Sequence, residues 1–110
     1  MKSLFVLLLL ANSLIARELP SSEVSRIANA IYRCENSKTY PYGIRIKGKH
    51  FTKEQAEAIC KNTIRNNYQR WQSAGEKEDF ITFLGNRYCP KECDSVGNKN
   101  WIRNMHKLML

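Results

Sequence analysis

One apolar stripe constrains this chain more than any other feature. Val24, Ile27, Ala28 and Ile31 recur at helical spacing, and the stripe then runs onto Cys34 and Glu35 before the pattern breaks. The residues that follow, Asn36 to Tyr42, are polar and contain Pro41, so a loop is expected there. A helix from about Ser22 to Glu35 is predicted, with Ser as N-cap and Glu23 in its first turn. Its last turn then holds a carboxylate on the buried face. Desolvation and the partial negative charge of a helix C-terminus both work against the anion there. A carboxyl kept protonated in this way is suited to general acid catalysis. The competing reading rotates Glu35 to the surface, where it only ends the helix.

The chain begins with Met1-Lys2, an apolar run from Leu4 to Leu10, and small residues up to Ala16. This is the pattern of an export signal, with cleavage expected after Ala16, and residues 17–110 form the mature domain. The apolar run is too short for a permanent membrane anchor. A secreted or periplasmic protein without stable membrane insertion is therefore expected, as one small, monomeric domain. Cleavage removes one charged residue, Lys2, from a chain of net charge +8. A basic exported domain suits an anionic partner, whether cell-wall polymer, nucleic acid or membrane surface. The four cysteines, Cys34, Cys60, Cys89 and Cys93, read as two disulfides in an exported domain of this size. The pairing Cys60–Cys89 with Cys34–Cys93 is expected, because Cys89–Cys93 closes only a tiny loop. Zinc is the alternative, but the Cys89–Cys93 gap is not the usual two residues and no His lies near it.

Further along, Gly43 to Lys49 alternates apolar and polar residues between glycines and predicts a small β element. Thr52 and Gln55 form a capping box that opens a second helix over 53–73, closed by Gly75. A third helix is expected to begin within Glu76–Asp79 and stop at Pro90. The last should start near Asn98 or Asn100 and carry Trp101, Ile102 and Met105. The fold class expected is mainly α: four helices with a small β element after the first, stapled by disulfides.

Four segments in this order resemble the catalytic domain of lytic transglycosylases, in the lysozyme-like superfamily. Glu35-Asn36 with Ser37 stands where that family has a catalytic Glu-Ser at the end of its first helix. Gly43-Ile44-Arg45 holds the place of its Gly-Leu-Met-Gln. Leu84 to Pro90 is similar to its Ala-x-Tyr-Asn-x-Gly segment, and Asn100-Trp101-Ile102 to its last motif. The likeness spans residues 23 to 109. It departs at Asn36 for Ser, at Arg45 and Ile46 for Met and Gln, at Cys89 for Asn, and at Trp101 for Tyr.

The resemblance implies a lysozyme-like fold and cleavage of the β-1,4 bond between N-acetylmuramic acid and N-acetylglucosamine. It implies Glu35 as general acid and base, with Asn36, Ser37, Tyr42, Gly43, Ile44, Tyr88 and Trp101 along the substrate cleft. No metal, cofactor or nucleic acid is called for; the partner is the peptidoglycan glycan strand. The stretch from Asn36 to Lys53 contains no Asp or Glu, whereas two-carboxylate glycosidases need a second acid across the scissile bond. Internal attack by the sugar's 6-hydroxyl, giving 1,6-anhydromuramoyl ends, is therefore expected ahead of hydrolysis. Two other classes stay open: a non-catalytic cationic binder on the same scaffold, and a ribonuclease-like enzyme using His50 and His106 or a membrane-active protein.

Overall fold

The computed structural model describes residues 17–110, so the export-signal reading of residues 1–16 lies outside the described residues. Four helices follow one another: α1 (Ser21–Glu35), α2 (Lys53–Ser73), α3 (Phe80–Tyr88) and α4 (Ser95–Leu108). A single 3-10 turn, Pro41–Gly43, lies between α1 and α2. The mainly helical class with four helices is thus as expected.

α1 ends where the stripe predicts, at Glu35, and Asn36 stops it. Asn36 adopts the left-handed conformation (φ 47°, ψ 45°) and its N–H donates to the Tyr32 carbonyl at 3.1 Å. Asn is one of the few residues other than glycine that tolerates this conformation, because its short amide side chain can bond locally. The start of α1 differs from expectation: Pro20, not a serine, is its N-cap, with no side-chain cap, and the Pro20 carbonyl accepts from Val24 N–H at 3.0 Å. The capping box of α2 is complete. Thr52 Oγ1 accepts from Gln55 N–H at 3.1 Å, and Gln55 Oε1 accepts from Thr52 N–H at 2.9 Å. Asp79 caps α3, which therefore begins after the acidic cluster and not within it. Asp94 caps α4 through Gly97 N–H at 2.8 Å, starting that helix several residues before Asn98.

α1 is the central element and packs against α2, α4 and the 3-10 turn. Val24, Ile27, Ala28 and Ile31 meet Ala56, Cys60 and Ile64 of α2, Leu84 of α3, and Trp101 and Met105 of α4 in one buried cluster. Each fully buried aliphatic side chain contributes about 1.5–3 kcal/mol relative to exposure. α3 and α4 touch at Gly85, where a Cβ would stand 2.5 Å from Ile102 Cγ1 and 3.0 Å from Trp101 Cε3. That missing side chain lets the middle of α4, at Trp101, close against the bundle. Asn98, also buried, ties the same junction by donating from Nδ2 to the Cys89 carbonyl at 2.7 Å.

Two expectations are corrected. The β element reduces to one isolated bridge between Ile46 and Lys49, and no strand forms among the described residues. Ile46 is exposed and has no sheet to pack against, so the alternation around it lacks a buried face to fix it. The disulfides are also absent: Cys34, Cys60, Cys89 and Cys93 are all free thiols. Cys60 Sγ, fully buried, accepts from the Tyr88 hydroxyl at 3.4 Å, and Cys34 Sγ faces the Trp101 carbonyl at 4.0 Å. Burial, with a smaller push from the Glu35 charge, raises the Cys34 thiol from 9.0 to about 11. Burial also takes Cys60 to about 11, against the opposing hydrogen bond from Tyr88. Both stay protonated near neutral pH and are poor nucleophiles.

Alkylation of the unreduced protein should therefore modify exposed Cys93 first, while Cys60 labels only on unfolding, as read by peptide mass analysis. A denatured, unreduced sample that takes up no label would restore the disulfide reading.

Candidate active site

The site is built where the end of α1 meets the Pro41–Gly43 turn and the middle of α4. Glu35 is half-buried there. Its Oε1 accepts a hydrogen bond from the Trp101 indole N–H at 3.0 Å. From the other side the Gly43 backbone presses on the same side chain: a Cβ at Gly43 would stand 2.6 Å from Glu35 Cδ and 2.9 Å from Oε2. Only glycine fits at that distance, and its φ of +69° is also one that favours glycine. The residue before it, Tyr42, has φ 61° and ψ 13° without being glycine. An aromatic residue held there stores on the order of 1–3 kcal/mol of strain, which surrounding packing must offset. The packing is present: Tyr42 is 2% exposed and its ring lies 5.0 Å from that of Tyr32.

The eight residues expected at the site fall into three groups, with Gly43 shared by the first two. Glu35, Gly43 and Trp101 are in mutual contact through the carboxyl group. Gly43, Ile44 and Tyr88 line an adjoining open cleft of about 400 Å³. Tyr88 joins the two groups, since its ring stacks on Trp101 with centroids 5.3 Å apart and an 18° interplanar angle. Burial first, then the neighbouring Cys60 thiol and the Glu35 charge, hold the Tyr88 phenol far above its usual range, so it stays a donor. The remaining three serve the loop. Asn36 caps α1, Ser37 Oγ accepts from Tyr40 N–H at 3.0 Å, and the Tyr42 ring is packed inward. Trp101 is 7% exposed, so one side chain is both core and site.

No family model, curated protein or solved structure matches this chain.

Five of the nine other carboxylates are engaged elsewhere. Asp79 and Asp94 cap helices, Glu57 pairs with Lys61 at 2.8 Å, Glu76 with Arg17 at 2.5 Å, and Glu23 with Arg26 at 3.1 Å. Among the described residues no group of three or more His, Cys, Asp or Glu side chains is placed to hold a metal ion. The two histidines are not drawn together: His106 bonds Asp79 at 2.8 Å, and His50 is exposed in the segment before α2.

Sequence reasoning missed Asn67, Arg70 and Arg87, which line the cleft with Arg45. For Asn67 there was a signal. It falls three residues after Ile64 on the buried stripe of α2, where a polar residue is out of pattern. The arginines carry no such mark, because charged helix positions are usually only solvated.

The Gly43 contact is open to direct test. Gly43→Ala must displace Glu35 as well as strain the turn, and should lose about 2–4 kcal/mol in denaturant unfolding. Gly48 shares the positive φ (+76°) but has nothing within 4 Å of a built Cβ, so Gly48→Ala should cost only about 1 kcal/mol. Equal losses would show that the Gly43–Glu35 approach is not tight.

Proposed function

We propose that the protein is an exported peptidoglycan-cleaving enzyme of the lytic transglycosylase type, with Glu35 as its single acid and base. The observation that carries this reading is the setting of the Glu35 carboxyl. It ends a helix, is fixed by an indole N–H on one oxygen and by glycine backbone on the other side, and touches Gly43, which lines an open cleft. A group positioned to this degree meets the geometric demand of general acid catalysis, which is a fixed approach to the leaving oxygen. The order of motifs around Glu35, Gly43, Tyr88 and Trp101 supports the choice of substrate.

In the proposed reaction Glu35 protonates the glycosidic oxygen while the bond from that oxygen to C1 of N-acetylmuramic acid breaks. The 6-hydroxyl of the same sugar then attacks C1, and its proton passes to the Glu35 carboxylate. This restores the acid and leaves a 1,6-anhydro ring without consuming water. The engagement of Asp94 as a helix cap and of Glu57 in an ion pair favours this route over one in which either serves as a second carboxylate. Gly43, Ile44 and Tyr88 line the cleft, and Tyr88 stacks on the Trp101 ring that donates to Glu35.

Digestion of purified sacculi followed by mass analysis tests the proposal. Muropeptides ending in 1,6-anhydromuramic acid are expected, and Glu35→Gln should reduce their release on the order of 10²-fold or more. Free reducing ends would point to hydrolysis. Binding without cleavage would favour a non-catalytic binder on this scaffold.

A further inference from the structure

From Ser95 to Leu108, α4 carries no acidic residue. Its buried side is Asn98, Trp101 and Met105. At about 3.6 residues per turn, Val96, Lys99, Arg103 and Lys107 fall within about 80° of arc on the opposite side. Lys99, Arg103 and Lys107 are each four residues apart, so the three cations form one row along the helix. Among the described residues none of the three is in an ion pair, and Arg103 Nη2 donates to Asn100 Oδ1 at 2.6 Å. The acids bonded to α4 meet it at other positions: Asp94 at Gly97, Glu35 at Trp101 and Asp79 at His106.

Apolar groups accompany this row. Val96 is 67% exposed, and Leu110, just past Lys107, is fully exposed. The third large hydrophobic side chain exposed among the described residues, Ile46, lies elsewhere. Lys99, Ile102, Arg103, His106, Lys107 and Leu110 also surround an open concavity of about 510 Å³. A charged helix face alone is ordinarily just solvated. Cations interleaved with exposed apolar residues on the outward side of one helix are instead the composition of a helix that lies on a membrane surface.

We propose that the outward face of α4 seats the protein on an anionic lipid bilayer, with Lys99, Arg103 and Lys107 at the headgroup phosphates and Val96 and Leu110 at the acyl boundary. Lysine and arginine stems can lie along that boundary while their charged ends reach the headgroups. A soluble phosphate polymer answers the cations and leaves Val96 and Leu110 in water, whereas a lipid surface answers both. Lys99 and Lys107 have no fixed partner, which suits a fluid array of headgroups better than one shaped protein. The contact is peripheral, since no helix among the described residues is long and apolar enough to cross a membrane. None of these residues lines the cleft beside Gly43 and Tyr88, so docking leaves that cleft open.

The seat requires no catalysis, and a binding measurement tests it apart from the role of Glu35. The protein is sedimented with vesicles of phosphatidylcholine, and with vesicles of an equal mixture of phosphatidylcholine and phosphatidylglycerol. Residues 1–16 are common to every variant, so differences between variants report on α4. The anionic vesicles should bind about 10-fold or more tighter, and Lys99→Gln with Lys107→Gln should lower that affinity about 10-fold. Lys47→Gln with Lys49→Gln removes the same charge beside the Ile46–Lys49 bridge and should change it less than about twofold. Val96→Ser should weaken vesicle binding about threefold and leave binding to inorganic polyphosphate unchanged. All three variants should keep the thermal midpoint of the parent. Equal losses in the two lysine pairs would reduce the effect to net charge and overturn the seat. Vesicle binding that none of the α4 variants alters overturns it as well. Polyphosphate bound as tightly as the anionic vesicles, through the same two lysines and with Val96→Ser silent in both, would make the partner an anionic polymer and refute the lipid seat.

Discussion

The approach of the Gly43 backbone to the side chain of Glu35 sets the arrangement around it. A carboxyl at the end of a helix ordinarily samples several rotamers. Here the turn Pro41–Gly43 folds back so closely that a single added carbon at residue 43 would overlap it. The opposite side is closed by the Trp101 indole, brought near by the glycine at position 85 of α3. Two missing side chains on different elements therefore leave one carboxyl between a backbone and an indole donor. The strained conformation of Tyr42 belongs to the same device: its buried ring anchors the turn, and its unusual φ aims Gly43 at Glu35.

The parts of this architecture that depend on local physics were legible in the sequence. The end of α1 followed from an apolar stripe interrupted by Asn36, and both ends of α2 followed from the Thr52–Gln55 box and Gly75. The start of α3 was misjudged because acidic residues serve equally in a first turn or as a cap, and that of α4 was placed at Asn98 or Asn100, past its cap. Asp79 and Asp94 are caps. Alternation at Ile44 and Ile46 suggested strand, but alternation specifies a strand only where a sheet receives it. The disulfides were inferred from an export signal and an even cysteine count. That argument cannot see that Cys60 points at the Tyr88 hydroxyl and Cys34 at the Trp101 carbonyl.

The candidate site shows the same division. Glu35 could be picked out because a carboxylate on an apolar stripe is locally anomalous. The union of Gly43, Tyr88 and Trp101 around it depends on contacts between segments far apart in the chain, and only the resemblance in motif order suggested it. The arginines of the cleft come from three elements, each with its own unremarkable charged face. Their convergence is a property of the tertiary fold alone.

The central claim is that Glu35 is held by Trp101, and the indole N–H resonances report on it most directly. The chain has two tryptophans, and Trp71 donates to the Glu78 carbonyl at 2.7 Å, away from Glu35. In a nitrogen–proton NMR correlation spectrum, Glu35→Ala should move the Trp101 indole signal and speed its exchange with solvent. The Trp71 signal should stay in place. An unmoved Trp101 indole signal, with exchange as slow as in the parent, would contradict the account.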